Sequence, residues 1–164
     1  GTVMNQAMDF YKLCLQAFGN TDHPVVMSVG NKTPISDLGD VPDHFIVKSY
    51  VPQTEVLQYA QLFITHGGMN SVHEGLYFGV PLIVLPLSAD QPVIAGQVAR
   101  IGAGITLDMK SLTAHQLREA AELVLSRASF KKAAASMGEI LRKSGGYRQA
   151  VDDIFEFRDL RRWE

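Results

Sequence analysis

Lysine and arginine are missing from a long stretch of this 164-residue chain, with none between Lys48 and Arg100. Any anion held there must be held by backbone N–H groups, imidazole, amides and hydroxyls. Cysteine is nearly absent too. The single Cys14 cannot form an internal disulfide, and its place in an apolar helical pattern marks a small core residue rather than a nucleophile. Long hydrophobic runs are lacking: stretches such as Pro81 to Leu87 fall far short of the roughly 20 residues that cross a bilayer, and no secretory signal opens the chain. The reading is a cytoplasmic protein without a transmembrane segment. No charge of one sign dominates, since 15 Lys and Arg stand against 17 Asp and Glu, so a nucleic-acid partner is not expected.

What is present is a chain of 18.0 kDa with 46% hydrophobic residues, enough for one domain with a sizeable core. Residues 1–164 read as a single unit, with no Pro- or Gly-rich linker and no low-complexity tract. Charge is uneven along it. Residues 1–109 hold 4 Lys and Arg against 9 Asp and Glu, and residues 110–164 hold 11 against 8. Acids interspersed at Glu119, Glu122, Asp152 and Glu156 make the basic end a set of solvated helix faces.

Short β-rich runs begin near Val25, Phe45, Leu62, Leu82 and Ala103, separated by 20, 17, 20 and 22 residues. That spacing is a βα repeat and predicts a Rossmann-like parallel sheet with helices on both faces. Four of the runs are largely apolar, as strands buried on both faces would be. Met4, Met8, Tyr11, Leu15 and Phe18 form one apolar stripe, predicting a helix over 5–18. Further helices are expected over 113–126, with Ser111 or Thr113 as cap, over 129–143, and over 147–160. A doubly wound sheet normally starts with a strand, whereas Gly1-Thr2-Val3 leads straight into a helix, so a preceding strand is expected upstream.

Residues 50–91 carry the chemistry. Leu62-Phe63-Ile64-Thr65-His66 reads as a strand ending at a histidine, and Gly67-Gly68 turn the chain into a helix starting near Asn70. Glycines admit close backbone approach, and the first N–H groups of a helix are unpaired at the positive end of its dipole, so the turn suits an anion. Asn70 and Ser71 add side-chain donors, or cap the helix. Glu74 follows Asn70 by four residues, on the same helix face one turn on, where a carboxylate suits a vicinal diol better than a phosphate. Asp90 and Gln91 open another helix after the strand at Leu82 and offer sugar hydroxyls acceptors and a donor, unless Asp90 caps that helix. Tyr50 could stack on a flat ring and Gln53 reach a heterocycle edge. Together, four strand-to-helix turns along one edge would suit a base, a diphosphate, a ribose and a sugar. No GxxxxGK[ST], no GxGxxG in the first turn and no GxSxG is present, and no metal-ligand cluster forms, with His23, His44 and His115 isolated and His73 left to surface or packing.

Tyr50-Val51-Pro52-Gln53, Val56-Leu57, Thr65-His66-Gly67-Gly68-Met69-Asn70-Ser71, Glu74, Gly79-Val80-Pro81, Pro86 and Asp90-Gln91 together resemble the donor-site signature of UDP-glycosyltransferases, most closely the bacterial macrolide type. The resemblance implies the carboxyl-terminal, donor-binding half of a two-domain GT-B enzyme of family 1. It implies inverting transfer of a hexose, glucose by preference, from a UDP-sugar to a hydroxyl of a small-molecule acceptor. That acceptor, and the histidine that deprotonates it, would lie in an amino-terminal half. By position, Tyr50 would stack on uracil, the Val51 backbone would meet its edge, and Gln53 would lie beside base and ribose. Thr2, His66, Gly68, Asn70 and Ser71 would face the diphosphate, Glu74 the ribose hydroxyls, and Asp90 with Gln91 the sugar. His66 is the one catalytic candidate in this chain, stabilising the leaving group; no metal and no cofactor are expected. Tyr50 and Met69 stand where plant relatives carry Trp. Two other readings share these residues: a stand-alone UDP-sugar-binding subunit that needs a separate acceptor-binding partner, and a GT-B nucleotide-sugar epimerase. Tyr147, Val151, Ile154, Phe155 and Trp163 give the last helix more apolar surface than a free end needs, and the resemblance implies that it packs on the other half, so part of it should be exposed or disordered here.

Overall fold

The computed structural model describes residues 8–160. In chain order they form α1 (Met8–Phe18), β1 (Val25–Ser28), a 3-10 turn (Ile35–Leu38), β2 (Phe45–Lys48), α2 (Gln53–Leu57), β3 (Phe63–Thr65), α3 (Met69–Tyr77) and β4 (Leu82–Val84). Then follow α4 (Gln91–Arg100), β5 (Gly104–Thr106), α5 (Ala114–Ser126), α6 (Ala128–Lys143) and α7 (Gly146–Leu160). Every β-rich run of the sequence becomes a strand, and all described ladders are parallel.

The sheet is in two pieces. β1 pairs with β2, while β3, β4 and β5 pair in that order, and no ladder joins the two sets among the described residues.

β4 anchors the molecule. Leu82, Ile83 and Val84 are fully buried because alternate side chains enter opposite layers. Ile83 joins a cluster with Cys14 and Ala17 of α1 and with Leu117, Ala120, Ala121 and Val124 of α5. Leu82 and Val84 join Val72 and Leu76 of α3, Ile94, Ala95 and Val98 of α4, and Ala134 of α6. Each such aliphatic side chain contributes about 1.5–3 kcal/mol by leaving water. Burial also pushes the Cys14 thiol up to about 12, as befits a core residue.

The expectation that four strands are buried on both faces is corrected: only β4 is. Val26 of β1 and its register partner Ile46 of β2 are 40% and 51% exposed, so one face of that ladder has no helix over it among the described residues. Apolar runs alone do not tell a two-sided strand from a one-sided strand near the edge.

Helix ends follow local chemistry. Thr113 caps α5 in a reciprocal box: its hydroxyl accepts from Gln116 N–H, and the Gln116 side chain accepts from Thr113 N–H. Of the two cap candidates, Thr113 is the one used. Arg118 of α5 donates to the carbonyls of Ala17 and Gln16, tying the end of α1 to α5.

Candidate functional site

The candidate residues gather where β2, β3 and β4 end. Three strand-to-helix connections carry them rather than the expected four, because Glu74 sits one turn down α3 and has no connection of its own.

The turn after β3 is shaped by Thr65, the one buried polar residue among those described, whose hydroxyl accepts from Gly67 N–H at 3.4 Å. Gly67 takes φ +85°, and a Cβ there would lie 2.6 Å from Val84 Cγ1. Only glycine fits. Gly68 has ordinary φ, but a Cβ on it would lie 2.7 Å from His66 Nε2, so this position leaves room for the imidazole.

Gly68 is the N-cap of α3 and supplies no side-chain cap. Val72 N–H bonds the Gly68 carbonyl, whereas the N–H groups of Met69, Asn70 and Ser71 meet no acceptor among the described residues. Neither Asn70 nor Ser71 spends its side chain on the cap. Three donors and the positive end of a nine-residue helix thus stay open beside His66. Burial holds the half-buried imidazole below its ordinary range, with the Asp90 carboxylate pulling the other way.

The start of α4 differs. Gln91 N–H bonds the Ser88 carbonyl, Pro92 has no N–H, and Val93 and Ile94 both donate to the Asp90 carbonyl. With its first turn satisfied, α4 needs no side-chain cap, and Asp90 makes none. The capping alternative for Asp90 is thereby removed. The Gln91 carbonyl oxygen instead accepts from Leu87 N–H at 2.8 Å and Ser88 N–H at 3.2 Å.

Gln53, first residue of α2, donates its amide to Glu74 Oε2 at 2.7 Å and lies 3.5 Å from Ser71 Oγ. That contact fixes the carboxylate and joins α2 to α3. Tyr50 is 76% exposed, and the Val51 backbone has no hydrogen-bond partner among the described residues. Thr2 lies outside the described residues. Elsewhere, His44 bonds the Phe18 carbonyl and His115 pairs with Glu119, while His73 is exposed.

His66, Gly68, Asn70, Ser71, Glu74, Gln53, Asp90 and Gln91 therefore form one neighbourhood: the Asp90 charge reaches His66, and the Gly67 turn lies against Gln91, whose Cβ is 3.8 Å from a Cβ built on that glycine. Two features escaped the sequence reading. Thr65 as a turn-former was visible as a hydroxyl two residues before Gly67, whereas Gln91 as a partner of Leu87 and Ser88 had no signal beyond a spacing of four and three residues.

Comparison with known proteins relates the chain to a family. Residues 12–143 match the family described as Erythromycin biosynthesis protein CIII-like, C-terminal domain. The uncharacterized UDP-glucosyltransferase YojK of Bacillus subtilis (strain 168) is 42% identical over 156 residues, 95% of this chain and 38% of that protein. The glycotransferase of kitacinnamycin superimposes with a TM-score of 0.88 at 33% identity, covering 94% of this chain and 40% of its own. The calicheamicin glycosyltransferase CalG4 superimposes at 0.90 and 28% identity, covering 96% and 41%. This chain thus spans about two fifths of the length of the relatives it matches.

Proposed function

Because this chain belongs to the family of carboxyl-terminal domains like that of erythromycin biosynthesis protein CIII, we propose that it is the donor-binding part of a UDP-sugar-dependent inverting glycosyltransferase. The sugar is a hexose, glucose by preference, and the acceptor is a small molecule whose hydroxyl is activated in another half of the protein. The observation that carries the reading is the contrast between two neighbouring helix starts. α3 leaves the N–H groups of Met69, Asn70 and Ser71 open beside His66, while α4 is closed and leaves the Asp90 carboxylate free. One end of the site attracts an anion, and the other accepts hydroxyl protons.

In this reading the diphosphate lies on the α3 start. Tyr50 stacks on the uracil, the Val51 backbone meets its edge, and Glu74, held by Gln53, accepts from both ribose hydroxyls. Asp90 and Gln91 take the hydroxyls of the sugar. When the acceptor oxygen attacks the anomeric carbon, the sugar–phosphate bond breaks and negative charge grows on UDP. Three preoriented N–H groups and His66 meet that charge, which is the geometry by which fixed donors lower a barrier. Neither a metal nor a cofactor enters the mechanism, and Lys and Arg are absent from the stretch involved. By itself, the chain is expected to bind donor and to transfer nothing.

Calorimetry of the 164-residue chain with UDP, UDP-glucose and TDP-glucose tests this. UDP should bind, and Glu74→Ala and His66→Ala should each weaken it. Absence of UDP binding, or binding indifferent to both substitutions, would sink the proposal.

A further inference from the structure

A groove of about 310 Å³ lies between β5 and α5, and none of the candidate site's residues lines it. β5 is the outermost strand of its ladder, so no further strand closes this space among the described residues. Ile105, Leu107 and Leu112 pack against the core cluster that holds Ile83 and Leu117, yet each stays half-buried, as does Leu123 on the helix side. Between them α5 offers only the methyl group of Ala120, itself 6% exposed, which deepens the floor. The result is a concave apolar wall at the small end of the range of ligand pockets, about 300–1,000 Å³. Its charge is of one sign. Asp108 and Glu119 line the groove, and no Lys, Arg or His does. Asp108 Oδ1 accepts from Lys110 N–H at 3.0 Å, and Glu119 Oε2 pairs with His115 Nδ1 at 3.1 Å. Each carboxylate keeps lone pairs for a further donor.

We propose that this groove is a second ligand site, which takes a small amine: an apolar body against Ile105, Leu107, Leu112 and Leu123, and an ammonium at Asp108 and Glu119. Exposed carboxylates attract a cation only weakly through water, so the apolar contact supplies most of the affinity and the two acids supply the choice of charge. An anion of the same shape is repelled. A neutral body of that shape keeps the contact and loses the pairing. The site stands apart from the sugar-nucleotide reading, because the two share no residue.

The test uses three probes with one ring system and different charge: tryptamine, 3-ethylindole and indole-3-propionate. Calorimetry and amide chemical shifts of the 164-residue chain follow each. Tryptamine should saturate in the millimolar range, move the amides of residues 105–123, and bind about tenfold or more tighter than indole-3-propionate, with 3-ethylindole between them. Asp108→Asn combined with Glu119→Gln keeps the shape of the groove and should bring tryptamine to within about threefold of 3-ethylindole. No saturation by tryptamine, shifts confined to other residues, equal binding of the anion, or a preference that survives the double substitution overturns the proposal. So does a concentration-dependent dimer in sedimentation that protects the amides of 105–123, since a second copy would then be the occupant. The comparison of probes on the parent chain needs no variant to fold. UDP is titrated separately, so a failure of the donor reading leaves the result at this groove standing.

Discussion

At the scale of single residues, His66 sets a pH dependence whose sign follows from its surroundings. Burial lowers its pKa from the ordinary 6.5 in the free chain, and a bound diphosphate would raise it, since a nearby negative charge favours imidazolium. A group with a higher pKa in the complex takes up a proton on binding. UDP affinity should therefore tighten as pH falls towards the lowered pKa of the free chain, and calorimetry of His66→Ala should show that part of the slope gone. In the complete enzyme as proposed above, the same substitution should cost about 2 kcal/mol or more in turnover, the scale of one preoriented donor. For the free fold the sign is reversed. The native state binds fewer protons at His66 than the unfolded chain, so this residue's contribution to stability is present above the ordinary pKa and is lost as pH drops through 6.5 towards the lowered value.

Glu74 gives a second test at this scale. Charge-assisted hydrogen bonds contribute about 1.5–3 kcal/mol, so Glu74→Ala should weaken UDP by that order while weakening 2′-deoxy-UDP less, as read by paired titrations. Glu74 was legible in the sequence because a spacing of four fixes a shared helix face whatever the rest of the chain does. Its tie to Gln53 was not, since those residues are 21 apart and meet only when α2 packs on α3.

At the scale of elements, the turn between β3 and α3 has the least tolerance. Gly67→Ala forces a side chain into φ +85° and into Val84. Strain plus overpacking predicts a loss of about 2–4 kcal/mol, measurable as a lower urea midpoint with unchanged slope. The cap of α5 should yield less: Thr113→Ala removes one arm of the box and should cost about 1 kcal/mol. Both were written in short-range signals, namely two glycines after a β-run, and Thr three residues before Gln. Strand existence was equally legible from the βα rhythm. Burial on both faces was not, because it depends on which helices cover which ladder, and Val26 and Ile46 remain open where an apolar run promised cover.

At the scale of the molecule, α7 stands apart from the core. None of its described side chains is buried, and Tyr147 and Ile154 are 75% and 66% exposed. The expected exposed apolar stripe is therefore present, although Trp163 lies outside the described residues. Ending the chain after Ser144 should leave the unfolding free energy within about 0.5 kcal/mol, as changes away from buried features do, and should reduce binding of a hydrophobic dye. A large loss of stability would show that α7 contributes to the core after all.

Sequence by itself determined the order of elements, the helix faces and the chemistry on offer at each turn, because propensity, periodicity and capping act over a few neighbours. It also determined that residues 49–99 carry no Lys or Arg of their own. Tertiary structure alone decided which donors remain open: Pro92 and the Asp90 carbonyl close α4, Gly68 leaves α3 uncapped, Gln53 holds Glu74, and Gln91 knots the loop before it. The reason is that a polar group's freedom depends on what the fold has already paired it with. That pairing crosses elements which the linear order keeps apart.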